Sequence, residues 1–228
     1  MKIFDDITPA LQSILRSWST GSVVCWISFR VHRDKLPSIK EKWLEEYGTG
    51  LSSEKRRYKK SKGLPCASAC AIPVLGMPHE VECIMLASAE ALTAGSQSPF
   101  SREKWITRPP EVSDFVMVKE MKERGDSTWT WKINNKQIGM LERDLTALVK
   151  SSDGSAVAKS SHHMVRFYPM FSGVRRQLRR SLHSARKLWV ANCKSTFPGP
   201  DPDKLPMMVG YRKESVTSSP KVAPIAKT

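Results

Sequence analysis

The sequence predicts an α+β fold, in which a mixed, mainly antiparallel sheet of about five strands is packed by about four helices. Stretches of alternating apolar residues, typical of strands, occur between stretches whose apolar residues recur every three or four positions, which is typical of helices. Apolar residues make up 40% of the 228 residues and charged residues 26%, an ordinary composition for a folded chain. We therefore expect one α+β domain over residues 1–197, with a candidate subdomain boundary in the Ser-, Gly- and Pro-rich stretch 93–111. The basic, Pro-rich remainder, 198–228, predicts a weakly ordered tail.

The N-terminal part of the chain predicts helix and strand in alternation. Apolar residues at three- and four-residue spacing over 7–18, with Pro9 in the first turn, predict a short amphipathic helix. Period-two alternation over 22–31 is the strongest strand signal in the chain. A second helix is then predicted to begin after Asp34, a good N-cap residue, and to end at Gly48.

A basic segment follows, and it lacks a persistent apolar stripe. Residues 52–63 therefore predict a loop or a frayed helix, which we regard as a candidate contact surface. Strands are predicted near 65–75 and 81–87, on either side of a Gly- and Pro-containing turn. Because Pro73 lacks a backbone N–H, the former should be an edge strand or carry a bulge.

The second half of the chain predicts a hairpin and then helices. The runs 115–119 and 129–133 flank turn-forming residues and predict two paired strands. Apolar residues over 138–149 recur at helical spacing and predict the next helix. The last helix, 172–189, should begin at Ser172 as N-cap and bury an apolar stripe, which leaves most of its arginines elsewhere on its surface.

Positive charge is concentrated in two segments. Nine lysines and arginines, and no carboxylate, lie between Gly154 and Pro200, and six more lie within 55–62. Their total equals the formal net charge of +15, so the rest of the chain is electrically balanced. Concentrated cationic charge favours capture of a polyanion, which makes nucleic acid the first partner to consider and an anionic membrane surface the second.

We predict a nucleic-acid-binding protein that contacts the phosphate backbone through the helix 172–189 and the segment 55–62. Arginine predominates in the helix, and its planar fork can bind a phosphate or a guanine edge. Tyr58 lies among the cations and is a candidate for stacking on a base. No signature of an RNA-recognition domain is present, and DNA is only slightly favoured over RNA. The candidate binding residues are Lys55, Arg56, Arg57, Tyr58, Lys59, Lys60, Lys62, Arg166, Arg175, Arg176, Arg179, Arg180, Arg186 and Lys187.

Two other functions fit the same pattern. The first is a metal-independent endoribonuclease, in which a histidine acts as general acid or base and nearby cations stabilise the phosphorane charge. Its candidate catalytic residues are His162, His163 and His32. If 162 and 163 lie in a strand, their side chains point to opposite faces and only one enters a given site. The second alternative is an interaction protein that docks an acidic protein partner through the arginine helix. Binding without catalysis is the preferred interpretation.

The sequence predicts no cofactor and no metal. The five cysteines are an odd, scattered set, so reduced thiols are expected. Cys66 and Cys70 have a spacing that some zinc sites use, but a second ligand pair at matching spacing is missing. The sequence starts without the pattern of a secretory signal and contains no run long enough to cross a bilayer, so we expect a cytoplasmic protein. We expect no membrane partner, because the apolar stripe of the arginine helix is what a core needs and no lipidation motif is present.

Overall fold

The computed structural model describes residues 1–121 and 125–207, which confirm the α+β class. The described chain divides into two compact units, and the division falls between Arg108 and Pro109. The strands form two sheets of four and three strands, where the sequence predicted a single sheet. Six α-helices are present in the described residues. The chain between the two sheets contains two 3-10 turns, Ala89–Ala91 and Pro99–Arg102, and the consecutive prolines Pro109 and Pro110.

Unit 1 combines four strands with three helices. The sheet has the order β1-β3-β4-β2, with β1 parallel to β3 and the other pairs antiparallel. A register shift between Pro73 and Val74 shows the predicted bulge. The elements are β1 (Lys2–Ile3), α1 (Ile7–Ser19), β2 (Cys25–His32), α2 (Leu36–Tyr47), α3 (Ser53–Ser61), β3 (Ala67–Val74) and β4 (Met77–Ala87).

The core of unit 1 lies on both sides of β3 and β4. Trp43 and Tyr47 of α2 pack with Met85 on one side, and α1 packs on β3. The predicted helix 7–18 and strand 22–31 are confirmed within two or three residues. Asp34 is not the N-cap of α2; it lies in a 3-10 turn, Arg33–Lys35, that precedes the helix.

The basic segment 52–63 is a helix, α3, rather than a loop. The Ser52 hydroxyl accepts a hydrogen bond from the Lys55 N–H at 3.3 Å and so caps the first turn. Glu54 in the first turn and Lys59 in the last turn complement the helix dipole. Since none of its residues is buried, α3 has no apolar stripe, which is why the sequence pattern left its type open.

Unit 2 combines three helices with a three-stranded antiparallel sheet of order β5-β6-β7. The predicted hairpin is confirmed, with Phe115 opposite Ile133. α6 packs on β7 and on α4, and α4 also packs on α5. The elements are β5 (Glu111–Val112), β6 (Phe115–Met121), β7 (Ser127–Ile133), α4 (Asn135–Lys150), α5 (Gly154–Phe167) and α6 (Ser172–Cys193).

Helix α5 was not predicted. Asp153 caps it by accepting a hydrogen bond from the Ala156 N–H at 2.9 Å. Its buried stripe is Val157, Ser161 and Met164, and the middle position is polar. Ser161 can be buried because its hydroxyl donates to the Val157 carbonyl at 2.6 Å. A serine in the buried stripe hides the apolar period that identifies a helix.

The N-terminus of α6 is bound closely to β7. Phe171, not Ser172, is the N-cap residue. The Ser172 hydroxyl instead lies 2.9 Å from Thr130 Oγ1, which also accepts the Gly173 N–H at 3.1 Å. One turn further, the Gln177 amide bonds both the N–H and the carbonyl of Ile133, at 2.8 and 2.9 Å. These contacts fix the start of the arginine-rich helix on the sheet.

The apolar stripe of α6 is part of the core of unit 2. Leu178 and Leu182 are fully buried, whereas Leu188 is exposed. The residues 198–207, predicted as part of the tail, include a 3-10 turn at Pro202–Lys204 that packs on α6. The rest of the predicted tail, 208–228, lies outside the described residues. Among the helices described, none has the length and apolar character needed to cross a bilayer.

Candidate nucleic-acid interface

Helix α3 carries cations that its own protein does not neutralise. None of its lysines or arginines lies within ion-pair distance of a carboxylate in the described residues. Helical spacing divides these side chains between two faces. The outward face consists of Lys55, Tyr58, Lys59 and Lys62, and the cleft face consists of Ser53, Arg56, Arg57 and Lys60.

The outward face of α3 combines an exposed aromatic ring with lysine side chains. Tyr58 is 64% exposed, and the Lys62 ammonium lies 6.0 Å from the centre of its ring. An exposed aromatic ring among cations offers a stacking surface together with phosphate contacts. Lys55 and Lys62 are exposed, and Lys59 is partly buried.

The cleft face of α3 borders a cleft of about 890 Å³ within unit 1. Arg56 donates from Nη1 to the Leu51 carbonyl at 2.7 Å, and this bond holds its guanidinium at the start of the helix. No carboxylate lines the cleft among the described residues. Sequence reasoning named Arg56, Arg57 and Lys60 but missed the cleft; their spacing with Ser53, at i, i+3, i+4 and i+7, indicates one helical face once the segment is known to be a helix.

Three of the six cations of the predicted α6 surface are paired with carboxylates of unit 2. Arg176 lies 3.2 Å from Glu120, a buried carboxylate that also binds Lys132 at 2.9 Å. Arg186 lies 3.8 Å from Asp201. The helix segment itself contains no acid, but its neighbours in space do.

Arg179 is the third paired cation. It donates to Asp203, and His183 lies 3.3 Å from the same carboxylate. The hydrogen bond from Arg179 is the main reason that the pKa of Asp203 is below its usual value. Asp201 and Asp203 follow directly after the acid-free stretch, so a count limited to that stretch overstates the charge available to a ligand.

The other three cations of α6 have no carboxylate within ion-pair distance in the part of the chain that the structure describes. Arg180 and Lys187 are exposed and, seven residues apart, share one helix face. Arg175 is partly buried at the first turn. The α6 surface that remains for a polyanion therefore consists of Arg175, Arg180 and Lys187.

The histidines 162 and 163 lie on a helix, not a strand, and share one exposed face. With Lys159 and Arg166 they occupy positions i, i+3, i+4 and i+7 of α5 and line a shallow depression of about 410 Å³. The His163 ring stacks on Phe167, with centroids 5.0 Å apart. The strand on which the two histidines would point to opposite faces is not present; the backbone is helical there, and both side chains line the same depression.

His32, the third candidate, ends the edge strand β2 in unit 1. Its Nδ1 atom lies 3.0 Å from the Asp34 carboxylate, and its ring stacks on His79 at 6.0 Å. Both rings are exposed.

The cysteines of unit 1 are buried free thiols. Burial raises the pKa of Cys25 and of Cys83 to about 11, and it also raises the pKa of Cys66 and of Cys70. Within the described residues, no group of three or more His, Cys, Asp or Glu side chains is placed to hold a metal ion.

Comparison of the chain with known protein families, with curated proteins and with solved structures finds no match.

Proposed function

We propose that this protein binds nucleic acid, with DNA slightly favoured over RNA, and that the outward face of α3 makes the principal backbone contacts. The observation that carries the proposal is the absence of any carboxylate within ion-pair distance of the α3 cations in the described residues. An ammonium group that is exposed and unpaired can exchange condensed counterions for a phosphate without first breaking an internal ion pair.

The exposed cations of α6 provide a second contact surface. Arg180 and Lys187 are free to meet phosphates, and the docking of the N-terminus of α6 on β7 orders the helix that carries them. The paired residues Arg176, Arg179 and Arg186 have a structural role in this proposal. The structure therefore supports a smaller α6 contribution than the sequence count suggested.

The test is a salt titration of binding to duplex DNA, single-stranded DNA and structured RNA. Replacing Lys55, Lys59 and Lys62 together by Gln should weaken binding to duplex DNA and reduce the slope of log K against log salt by about 2.7, since each phosphate contact contributes about 0.9. The triple variant R175Q/R180Q/K187Q tests the α6 surface in the same way. Neither set includes a residue with an ion-pair partner in the described chain, so both variants should fold.

A matched control removes three lysines of unit 1 from another place. K35Q/K40Q/K42Q changes the net charge by the same amount at and within α2, and its salt slope should stay close to that of the unmodified protein. If the α3 variant and this control have the same slope, the outward face is not the contact surface. If K55Q/K59Q/K62Q and R175Q/R180Q/K187Q both bind duplex DNA as tightly as the unmodified protein, the whole proposal is overturned.

Endoribonuclease activity is the alternative, and the quartet on α5 favours it. His162 and His163 lie beside two cations on one face, so a general base and a general acid are available next to groups that bind phosphate. Cleavage of RNA in EDTA that disappears in H162A/H163A would support it. An RNA that remains intact after prolonged incubation with the unmodified protein would exclude it.

Docking of an acidic protein is the third candidate, through the same unpaired cations. Competition separates it from nucleic-acid binding: an acidic polypeptide such as polyglutamate would then displace duplex DNA at an equal concentration of charges. Displacement only at a large excess of polyglutamate would favour nucleic acid.

A further inference from the structure

We propose that the cleft bordered by α3 is a binding site for a nucleoside phosphate, either a free mononucleotide or the terminal nucleotide of a phosphorylated strand. This site goes beyond the proposed function because it uses the opposite face of α3. The outward face can bind a backbone with the cleft empty, and the cleft can bind a mononucleotide with no polymer present.

The size of the cleft fits a ligand larger than a phosphate ion. Its volume is about 890 Å³, within the range of about 300–1,000 Å³ that is usual for sites of small organic ligands. Its walls come from α1, from the residues that connect α2 to α3, and from β3. All of these elements belong to unit 1, so the site is complete within one compact body.

The charges in the cleft select an anion. Arg56, Arg57 and Lys60 line it from one face of α3, and no aspartate or glutamate among the described residues does so. Glu90 is a carboxylate near Lys60; a hydrogen bond from Ser88 lowers its pKa, and Lys60 contributes to the same shift. A single carboxylate can compensate only one of the three cations. The cleft therefore retains an excess of positive charge.

The start of α3 adds backbone donors to these cations. Ser52 is the N-cap and Ser53 the first residue of the nine-residue helix, and both line the cleft. Free N–H groups and the positive end of the helix dipole favour a phosphate at this position. Ser53 lies on the same helical face as Arg57 and Lys60, so one phosphate can meet the helix end and the cations together.

A buried hydroxyl without a partner points independently to a ligand. Thr49 lines the cleft and is only 5% exposed, yet its Oγ1 atom has no hydrogen-bond partner in the described structure. Buried hydroxyls are hydrogen-bonded in most proteins, and an unsatisfied one is an observation to be explained. We assign the Thr49 hydroxyl as a hydrogen-bond donor to a phosphate or ribose oxygen of the bound ligand.

The lining also indicates which part of the nucleotide is recognised. No Phe, Tyr, Trp or His side chain of the described chain lines the cleft, so it offers no ring on which a base can stack. Recognition should then depend on the phosphate and the sugar. We expect AMP, GMP, CMP and UMP to bind with affinities within about fivefold of one another, because differences in base contacts are small without stacking.

The experiment is calorimetric titration of the full chain with AMP and with adenosine. AMP should bind and adenosine should not. R57Q/K60Q should weaken AMP binding by at least about tenfold, the effect of losing hydrogen bonds to a charged group. The matched control K55Q/K62Q removes two cations from the outward face of the same helix and should leave AMP affinity within about twofold.

A second variant separates a ligand contact from a structural role. T49V replaces the unpartnered hydroxyl by a methyl group of similar size. It should weaken AMP binding by about three- to tenfold while the unfolding temperature of the ligand-free protein stays equal or rises, since no existing hydrogen bond is lost. A fall in the unfolding temperature with unchanged AMP affinity would assign Thr49 to the structure and overturn its place in the site.

Two oligonucleotides identify the source of the ligand. A short oligothymidylate with a 5′-phosphate, compared with the same strand bearing a 5′-hydroxyl, should bind more tightly only if strand ends enter the cleft, and R57Q/K60Q should remove that difference. Binding of AMP without such a difference assigns the site to free nucleotides. If R57Q/K60Q changes neither the affinity for AMP nor the preference for a 5′-phosphate, this inference fails. The proposed function is tested separately, by the salt titration of K55Q/K59Q/K62Q.

Discussion

Replacing Gly173 by Ala tests how closely α6 is held on β7. An added Cβ atom at this position would lie 2.5 Å from the Trp131 carbonyl oxygen, 2.9 Å from Lys132 Cγ and 3.0 Å from Thr130 Cγ2. The nearest of these contacts is with backbone, which cannot rotate away as a side chain can. The helix must therefore move away from the strand.

The magnitude follows from two opposing effects. Overpacking costs about 1–3 kcal/mol, and movement of the helix also weakens the bond from the Gly173 N–H to Thr130 Oγ1, worth about 1 kcal/mol. Higher helix propensity returns at most about 1 kcal/mol. We expect G173A to lower the stability of unit 2 by about 1–3 kcal/mol.

Gly139, within α4, supplies the matched control. The atom nearest to a Cβ added there is the flexible Arg143 Nη1 at 3.7 Å, an ordinary contact. G139A should stabilise the protein by about 0.5–1 kcal/mol through helix propensity alone. The two variants thus make the same chemical change and should shift stability in opposite directions.

Hydrogen exchange of peptides from α6 and β7 in increasing urea measures the effect within unit 2. Peptides from α2, in unit 1, serve as the internal reference. If G173A exchanges as slowly as G139A in α6, the close approach of this helix to the sheet is not a stabilising contact, and the argument that docking orders its cations is wrong.

The remaining predictions concern the ion pairs and the thiols. R176Q should destabilise the protein by about 1 kcal/mol, because it removes one of two cations from the buried Glu120. R180Q removes an unpaired exposed cation and should change the free energy of unfolding, measured in urea, by less than about 0.5 kcal/mol. Equal effects would show that the Glu120 pair contributes nothing. In the native protein, Cys193 should react with a thiol reagent at pH 8 before any thiol of unit 1, since burial raises the pKa of Cys25 to about 11; mass spectrometry of the labelled peptides shows the order. Because the pKa of Cys25 is raised in the folded state, its contribution to stability is fully present below the ordinary thiol pKa, near 9, and is lost as the pH rises toward 11. A C25A variant should therefore lose less stability between pH 8 and 11 than the unmodified chain, as measured by urea unfolding.

The sequence was most informative where large apolar residues repeat without interruption. β2 and α4 appeared at their observed positions because their periodicity reflects burial of one face. Helix α5 was missed because Ser161 occupies a buried position, and α3 was left open because its helix depends on capping and on charge rather than on an apolar stripe. Patterns of hydrophobicity indicate how elements pack, and neither of these helices has a continuous apolar stripe in its sequence.

The candidate site was only partly predictable, for a different reason. The cationic residues could be counted, but their ion-pair partners come from other elements: Glu120 lies on β6, and Asp201 and Asp203 lie beyond the end of α6. The cleft could not be predicted either, because its walls come from α1, α3 and β3, which are separate in the sequence. Pairing and enclosure are properties of the tertiary fold.

The division of the α3 cations between two faces has a consequence for any pair of anions that occupies both. A helix is about 10 Å across, which exceeds the screening length of about 8 Å at physiological salt, so an anion on one face is largely screened from an anion on the other. Binding at the two faces is then close to independent, and by thermodynamic reciprocity any remaining coupling is the same in both directions. At an ionic strength of about 0.01 M the screening length grows to about 30 Å, and each anion then weakens binding of the other without any change of shape.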